Sequence, residues 1–319
     1  MGPNLKGALL SLAAFGIYAT HDVVIKFLGS DYTSFQIIFF SGLLGFPLIT
    51  LMLMSDRTDG NLIPHHPWWS LIRALTAVST GAAGFYAFSV LPLAQTYAIL
   101  FAMPLLITLL AIPMLGEKVG IRRGLAVLVG LCGVLIVLRP GSADLSWGHL
   151  AALGAAVTGS INSLIVRKIG GEERSAVLMI WPMMASFFVT GATMPFVYVP
   201  MPIEHLLMTG VIAAMGFIAA MLIIAAYRVA PAVIVAPMQY SQIIWAAFYG
   251  AIFFDEHPDR WTVIGTAVII ASGIYIVLRE GSGKASKNTP VLANKSRPET
   301  GLMPRISLLL RRGESRTEE

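Results

Sequence analysis

Long uninterrupted apolar runs alternate with short polar breaks along most of this chain. The runs repeatedly reach about 20 residues, the length an α-helix needs to cross the hydrocarbon core of a bilayer. They place ten spans at residues 5–27, 34–54, 69–90, 93–115, 122–139, 147–168, 175–197, 204–227, 232–254 and 261–279. The runs are continuous rather than alternating, so helices, not barrel strands, satisfy the backbone in lipid. Span 1 carries Asp22 and Lys26 and lacks an A-x-A-like cleavage site, which separates it from a removable signal peptide.

The layout occurs twice. "LKGALLSLAAFGIYATHDVVIKFLG" (Leu5–Gly29) is echoed by "SWGHLAALGAAVTGSINSLIVRKIG" (Ser146–Gly170), with Gly7 matching Gly148, Lys26 matching Arg167 and Gly29 matching Gly170. Further on, Leu115–Gly141 is echoed by Phe254–Gly281. Each copy holds five spans, and five is odd, so the second copy enters the membrane upside down. The expected fold is an all-α membrane protein of ten transmembrane helices in a 5+5 inverted repeat, an arrangement that builds secondary transporters. The boundaries expected are 1–141 for the first five-helix repeat, 142–280 for the second, and 281–319 for a polar, disordered cytoplasmic tail. Within that tail, Leu302–Arg312 mixes apolar and basic residues, as a short membrane-surface helix or an unstructured anchor would.

Composition agrees. Hydrophobic residues make up 56% of the chain and charged residues 12%, where a soluble domain has about 25% charged. The net charge of +5 reads as a positive-inside bias rather than nucleic-acid binding. With the N-terminus in the cytoplasm, 19 Lys/Arg fall on the cytoplasmic side and three (Lys26, Arg139, Arg260) on the other. Both termini are therefore expected to be cytoplasmic. The single cysteine, Cys132, excludes an intrachain disulfide. Small-xxx-small spacings such as Ala155/Gly159 and Ala126/Gly130 indicate close helix packing within one bundle.

Each copy closes its fourth span with a GE or DE dipeptide, Gly116–Glu117 and Asp255–Glu256, followed by a basic residue and a Gly-rich span. With ten spans and two copies, the chain resembles the EamA family of the drug/metabolite transporter superfamily over about residues 5–280. The resemblance implies a central cavity lined mainly by spans 1, 3, 4, 6, 8 and 9. It leaves the substrate open, because members of the family move amino acids, riboflavin, S-adenosylmethionine, purines and other metabolites.

Asp22 and Lys26 lie four apart on one face of span 1, continued by Tyr18. An intramembrane carboxylate faces a bundle interior or a wet cavity. Asp22 either binds a cationic group or a proton, with Lys26 tuning it, or forms a neutral pair with Lys26. The second copy has Ser163 and Arg167 at the matching positions, so the carboxylate is one-sided. His21 is read as a packed interfacial residue, pointing away from Asp22. Span 9 places Gln239 and Gln242 on one stripe with Tyr249, and buried amides need either a polar substrate or a neighbouring helix. Tyr240 and Trp245 are candidates for aromatic surface. Span 4 matches span 9: Pro92 pairs with Pro231, Gln95 and Tyr97 follow, Pro104 is expected to kink span 4, and Pro237 lies near the start of span 9. Thr80 on span 3 and Asn162 on span 6 are lining candidates or interhelical bonds. Arg73, Tyr227 and Arg228 belong near the cytoplasmic mouth, and Glu117 and Glu256 take capping or hinge roles.

No H-E-x-x-H, C-x-x-C or Walker A motif is present, and no cofactor or metal is expected. The expected partners are a small-molecule substrate and the lipid bilayer, not nucleic acid; a homodimer is left open. The leading expectation is a secondary active transporter of the bacterial inner membrane, moving a small polar or aromatic metabolite (riboflavin-like or amino-acid-like) by alternating access. The alternatives are an intramembrane enzyme such as an acyltransferase, or a non-transporting membrane receptor or scaffold. His21–Asp22 is the nearest approach to a catalytic pair.

Overall fold

The computed structural model describes residues 2–54, 63–117, 119–140, 145–170, 172–173, 175–230 and 232–281. These residues are helical throughout their ordered elements, with no strand among them. The helices are α1 (Pro3–Leu28), α2 (Ser34–Met54), α3 (Pro67–Val90), α4 (Leu93–Leu100), α5 (Met103–Leu115), α6 (Ile121–Leu138) and α7 (Trp147–Ile169). The remainder are α8 (Ser175–Val197), α9 (Ile203–Val229), α10 (Ala232–Val235), α11 (Ser241–Phe254) and α12 (Arg260–Gly281). A 3₁₀ turn, Ala236–Tyr240, joins α10 to α11. The expected tail, with the proposed surface helix at 302–312, lies outside the described residues.

Eight stretches, counting α4 and α5 together, are long and apolar enough to cross a membrane. The mostly apolar α2 and the interrupted run α10–α11 supply the other two spans. Large apolar side chains such as Ile121, Phe188 and Phe196 point outward. In water such a surface would be an aggregation liability; against lipid tails it is the solvated face.

Spans 4 and 9 are the two broken ones. The first stops at Leu100, turns through Phe101 and Ala102, and resumes with Pro104 in the first turn of α5. The proline has no N–H for the Leu100 carbonyl, so the helix cannot run through. The second tightens into the 3₁₀ turn at Pro237. The interruption of span 4 thus falls at Pro104, where a kink was expected, and that of span 9 at Pro237.

The helices pair most extensively as α1 with α9, α3 with α7 and α6 with α12. Exchanging the two halves maps α1–α9 onto α7–α3 and α6–α12 onto itself, as an inverted repeat requires. Gly7 and Gly148 show the same logic in atoms. A Cβ on Gly7 would lie 2.2 Å from the Ala230 Cβ, and one on Gly148 would lie 2.8 Å from Leu91 Cγ. Each glycine lets the start of its helix press on the residue preceding the repeated proline.

Arg73 corrects the sequence reading. It does not sit at an open mouth but is 2% exposed, and its guanidinium donates to the Leu178 carbonyl of α8. That carbonyl is four residues before Pro182, whose missing N–H would otherwise have bonded it. The arginine repairs a gap that the proline makes.

Candidate functional site

A chain of polar groups runs through the bundle interior where α1, α4 and α11 meet. Asp22 is 1% exposed, about six residues inside the end of α1. Its Oδ1 accepts from His21 Nδ1 at 2.7 Å, and its Oδ2 accepts from the Tyr97 hydroxyl. The Tyr97 oxygen in turn accepts from Gln242 Nε2 at 3.2 Å. Tyr97 and Gln242 are fully buried, and Gln242 Oε1 has no hydrogen-bond partner. The chain therefore ends on an unused acceptor beside a carboxylate, in a setting where an unmet polar group is costly. Tyr97 stands one turn before the break in span 4, and Gln242 is the second residue of α11, just beyond the 3₁₀ turn. The two interruptions bring the residues together, as in transporters whose sites form between discontinuous helices.

His21 corrects an expectation. Neighbouring residues on a helix leave it about 100° apart, yet the imidazole swings back to Asp22 and packs edge-on against Tyr18 and Phe85. The ring lies within van der Waals reach of Gly216 on α9. Tyr18 is buried in the same wall, packed with Phe15 and Ile223.

Lys26 does not pair with Asp22. Its ammonium lies 2.8 Å from Glu256 Oε1, donates to the Leu91 carbonyl at 2.5 Å and sits over the Phe254 ring. Gln95 also lies away from the network. Its amide meets His149 Nε2 at 3.0 Å and faces a cavity of about 210 Å³ shared with Arg139, Glu256, His257, Asp259 and Thr262. Around this cavity Arg139 and Asp259 form an ion pair. Burial would raise the Asp259 carboxyl, but hydrogen bonds from Thr262 and the Arg139 guanidinium outweigh it and hold the group below its ordinary range.

The remaining candidates separate. Thr80 bonds Thr158 of α7 at 2.8 Å, an interhelical contact. Asn162 is buried on the same helix. Gln239 lies in the 3₁₀ turn with Nε2 unpartnered, whereas Gln242 is bonded to Tyr97. Tyr240 packs edge-on against Phe101, and its hydroxyl fills the space over Gly273 of α12. Trp245 lies against Gly16 and stacks on Tyr249, whose hydroxyl is 2.9 Å from Thr20. Neither aromatic faces the Asp22 network. Among the described residues no cluster of His, Cys, Asp and Glu is arranged to hold a metal.

Sequence reasoning missed the partners of His21, Glu117 and Glu256. Glu256 does cap a helix, as expected, but the helix belongs to the other half: its Oε2 accepts from Leu93 N–H, the first residue of α4, at 3.0 Å. The only signal was the repeated acidic motif itself.

The profile of the EamA-like transporter family matches residues 5–139 and again 146–279. An S-adenosylmethionine uptake transporter of Rickettsia prowazekii is 24% identical over 281 residues, covering 88% of this chain and 94% of that protein. A riboflavin transporter of Rhizobium johnstonii is 26% identical, covering 68% of this chain and 72% of that protein. A pseudopaline exporter of Pseudomonas aeruginosa is 25% identical, covering 85% and 95%. A solved crystal structure with 16% identity aligns at a TM-score of 0.57 over 84% of this chain and 96% of that one, a likeness of fold. The named relatives are transporters, in line with a non-enzymatic, multi-pass membrane protein.

Proposed function

The chain belongs to the EamA-like transporter family, and on that premise we propose that it is a secondary active transporter of the bacterial inner membrane with both termini cytoplasmic. It carries a small amino-acid-like solute bearing a cationic group, by alternating access. The observation that carries this reading is the buried acceptor pair formed by Asp22 and the unpartnered Gln242 Oε1. Two acceptors, one of them anionic, suit a solute that offers N–H donors and positive charge. An S-adenosylmethionine transporter among the relatives supports it. The riboflavin-like reading loses support, because Tyr240 and Trp245 pack away from the network. The halves 1–141 and 142–280 are the bodies that rock against each other, and Lys26 acts at the end of the bundle rather than on the solute.

The test is uptake into liposomes containing the purified protein, with labelled S-adenosylmethionine and riboflavin as probes. Saturable flux of the cation, lost in Asp22→Asn while membrane insertion persists, is the expected result. Riboflavin flux unaffected by Asp22→Asn would overturn the cationic reading.

A further inference from the structure

Two ion pairs related by the repeat sit at opposite ends of the bundle. One is Lys26 of the first half with Glu256 of the second; the other is Arg167 of the second half with Glu117 of the first. Both cations occupy matched positions near the ends of α1 and α7, and both glutamates follow the fourth span of their half. The ends are opposite because α3 lies between: a Cβ on Gly29, just past α1, would touch Ser89 near the C-terminal end of α3, whereas one on Gly148, at the start of α7, would touch Val90. Each pair ties one half to the other.

The glutamates are rigid posts. Gly116 and Asp255 end their helices in the left-handed conformation, at φ 68° and 54°. The next N–H then reaches back six residues, from Glu117 to Ala111 at 3.3 Å and from Glu256 to Gly250 at 2.9 Å. The side chains are largely covered, at 9% and 21% exposure for Lys26 and Glu256 and 16% and 5% for Arg167 and Glu117. Parting either pair in the closed bundle would strand a charge, so separation has to come with entry of water at that end.

We propose that these two pairs are the gates of the transport cycle, which must part in turn to expose the Asp22–Gln242 site to each side. This rests on the transport reading above. The structure has both gates closed, so it represents the occluded state. The gates are not equal. Glu256 Oε2 also holds the start of α4 through Leu93 N–H, and Lys26 also holds the Leu91 carbonyl. On the other side, Glu117 Oε2 has no partner, and the counterpart of that helix start is α10. The Arg167–Glu117 end is the one that opens more readily.

The experiment replaces each pair by cysteines in a Cys132→Ala background: Lys26→Cys with Glu256→Cys, and Arg167→Cys with Glu117→Cys. Each is bridged by a cleavable bifunctional thiol reagent spanning the ion pair. Flux of S-adenosylmethionine and riboflavin is measured before bridging, after bridging and after reduction. Gates predict that either bridge alone lowers flux at least tenfold and that reduction restores it. A bridged protein that still transports would overturn the proposal.

Hydrogen exchange in lipid discs gives a second readout that needs no solute. Glu256→Gln should speed exchange at the start of α4 and the end of α11, and Glu117→Gln at the end of α5 and start of α10. Exchange unchanged by both substitutions also overturns the gates. A wild-type protein that moves neither probe but shows these changes keeps the gates and removes the substrate reading. Faster wild-type exchange at the Glu256 end than at the Glu117 end would reverse the order of opening.

Discussion

The Tyr97 hydroxyl donates to Asp22 across the boundary between α4 and α1, two residues 75 positions apart in the chain. The same oxygen accepts from Gln242 of the other half. A single phenol therefore couples the one-sided carboxylate to the opposite repeat.

Tyr97→Phe removes that coupling without removing the ring, which packs against Phe88 and Phe101. The protein should insert and fold, and apparent affinity for a transported solute should fall about tenfold, the effect of about 1–2 kcal/mol from one hydrogen bond to a charged group. Concentration-dependent uptake in liposomes measures it. Unchanged affinity would take Tyr97 out of the site.

The two glutamines of span 9 should behave differently. Gln242→Leu breaks the network and should weaken solute binding by about 1–3 kcal/mol. Gln239→Leu removes a buried donor that has no partner, so thermal stability should hold or rise and affinity should stay near wild type. Equal loss of affinity in both variants would contradict the distinction between the bonded and the unbonded amide.

Arg73→Met should destabilise the purified protein by about 1–3 kcal/mol, because the Leu178 carbonyl loses its donor. Adding Pro182→Ala gives that carbonyl back a helical N–H partner. The double variant should therefore recover much of the loss in thermal melting. If Pro182→Ala brings no recovery, Arg73 stabilises the bundle in some other way.

Asp259 lies outside the spans, and its carboxyl is held below the ordinary range. A depressed folded pKa contributes stability that is present above the unfolded value. That stability is lost as pH falls through the folded one. Asp259→Asn should therefore lower the melting temperature slightly near neutral pH, and the gap from wild type should close as the carboxyl is protonated in acid. A gap that widens in acid would show the sign to be wrong.

Much of the fold could be read along the chain. The ten apolar runs set the spans to within a few residues, because crossing lipid demands about 20 apolar residues whatever their neighbours. The break in span 4 was visible in Pro104, since a missing N–H acts within one turn of its own helix. The inverted pairing of halves followed from an odd number of spans in each copy. The intramembrane carboxylate, Tyr97 and Gln242 were also recognisable as polar residues that lipid would not tolerate facing outward.

What only the tertiary structure decided is which of these groups meet. Lys26 lies one turn from Asp22, yet it pairs with Glu256, 230 positions away. Helical spacing says which side chains share a face but not what the facing helix offers. His21 turned out to be bonded to Asp22, with its ring edge-on to Tyr18 and Phe85. Gln242 found a partner in Tyr97 of the other half, whereas the amide nitrogen of Gln239 found none. Hydropathy and periodicity are properties of one segment, and they settled the spans. The partners of a buried charge depend on how ten segments pack, and that is fixed by contacts between halves far apart in sequence.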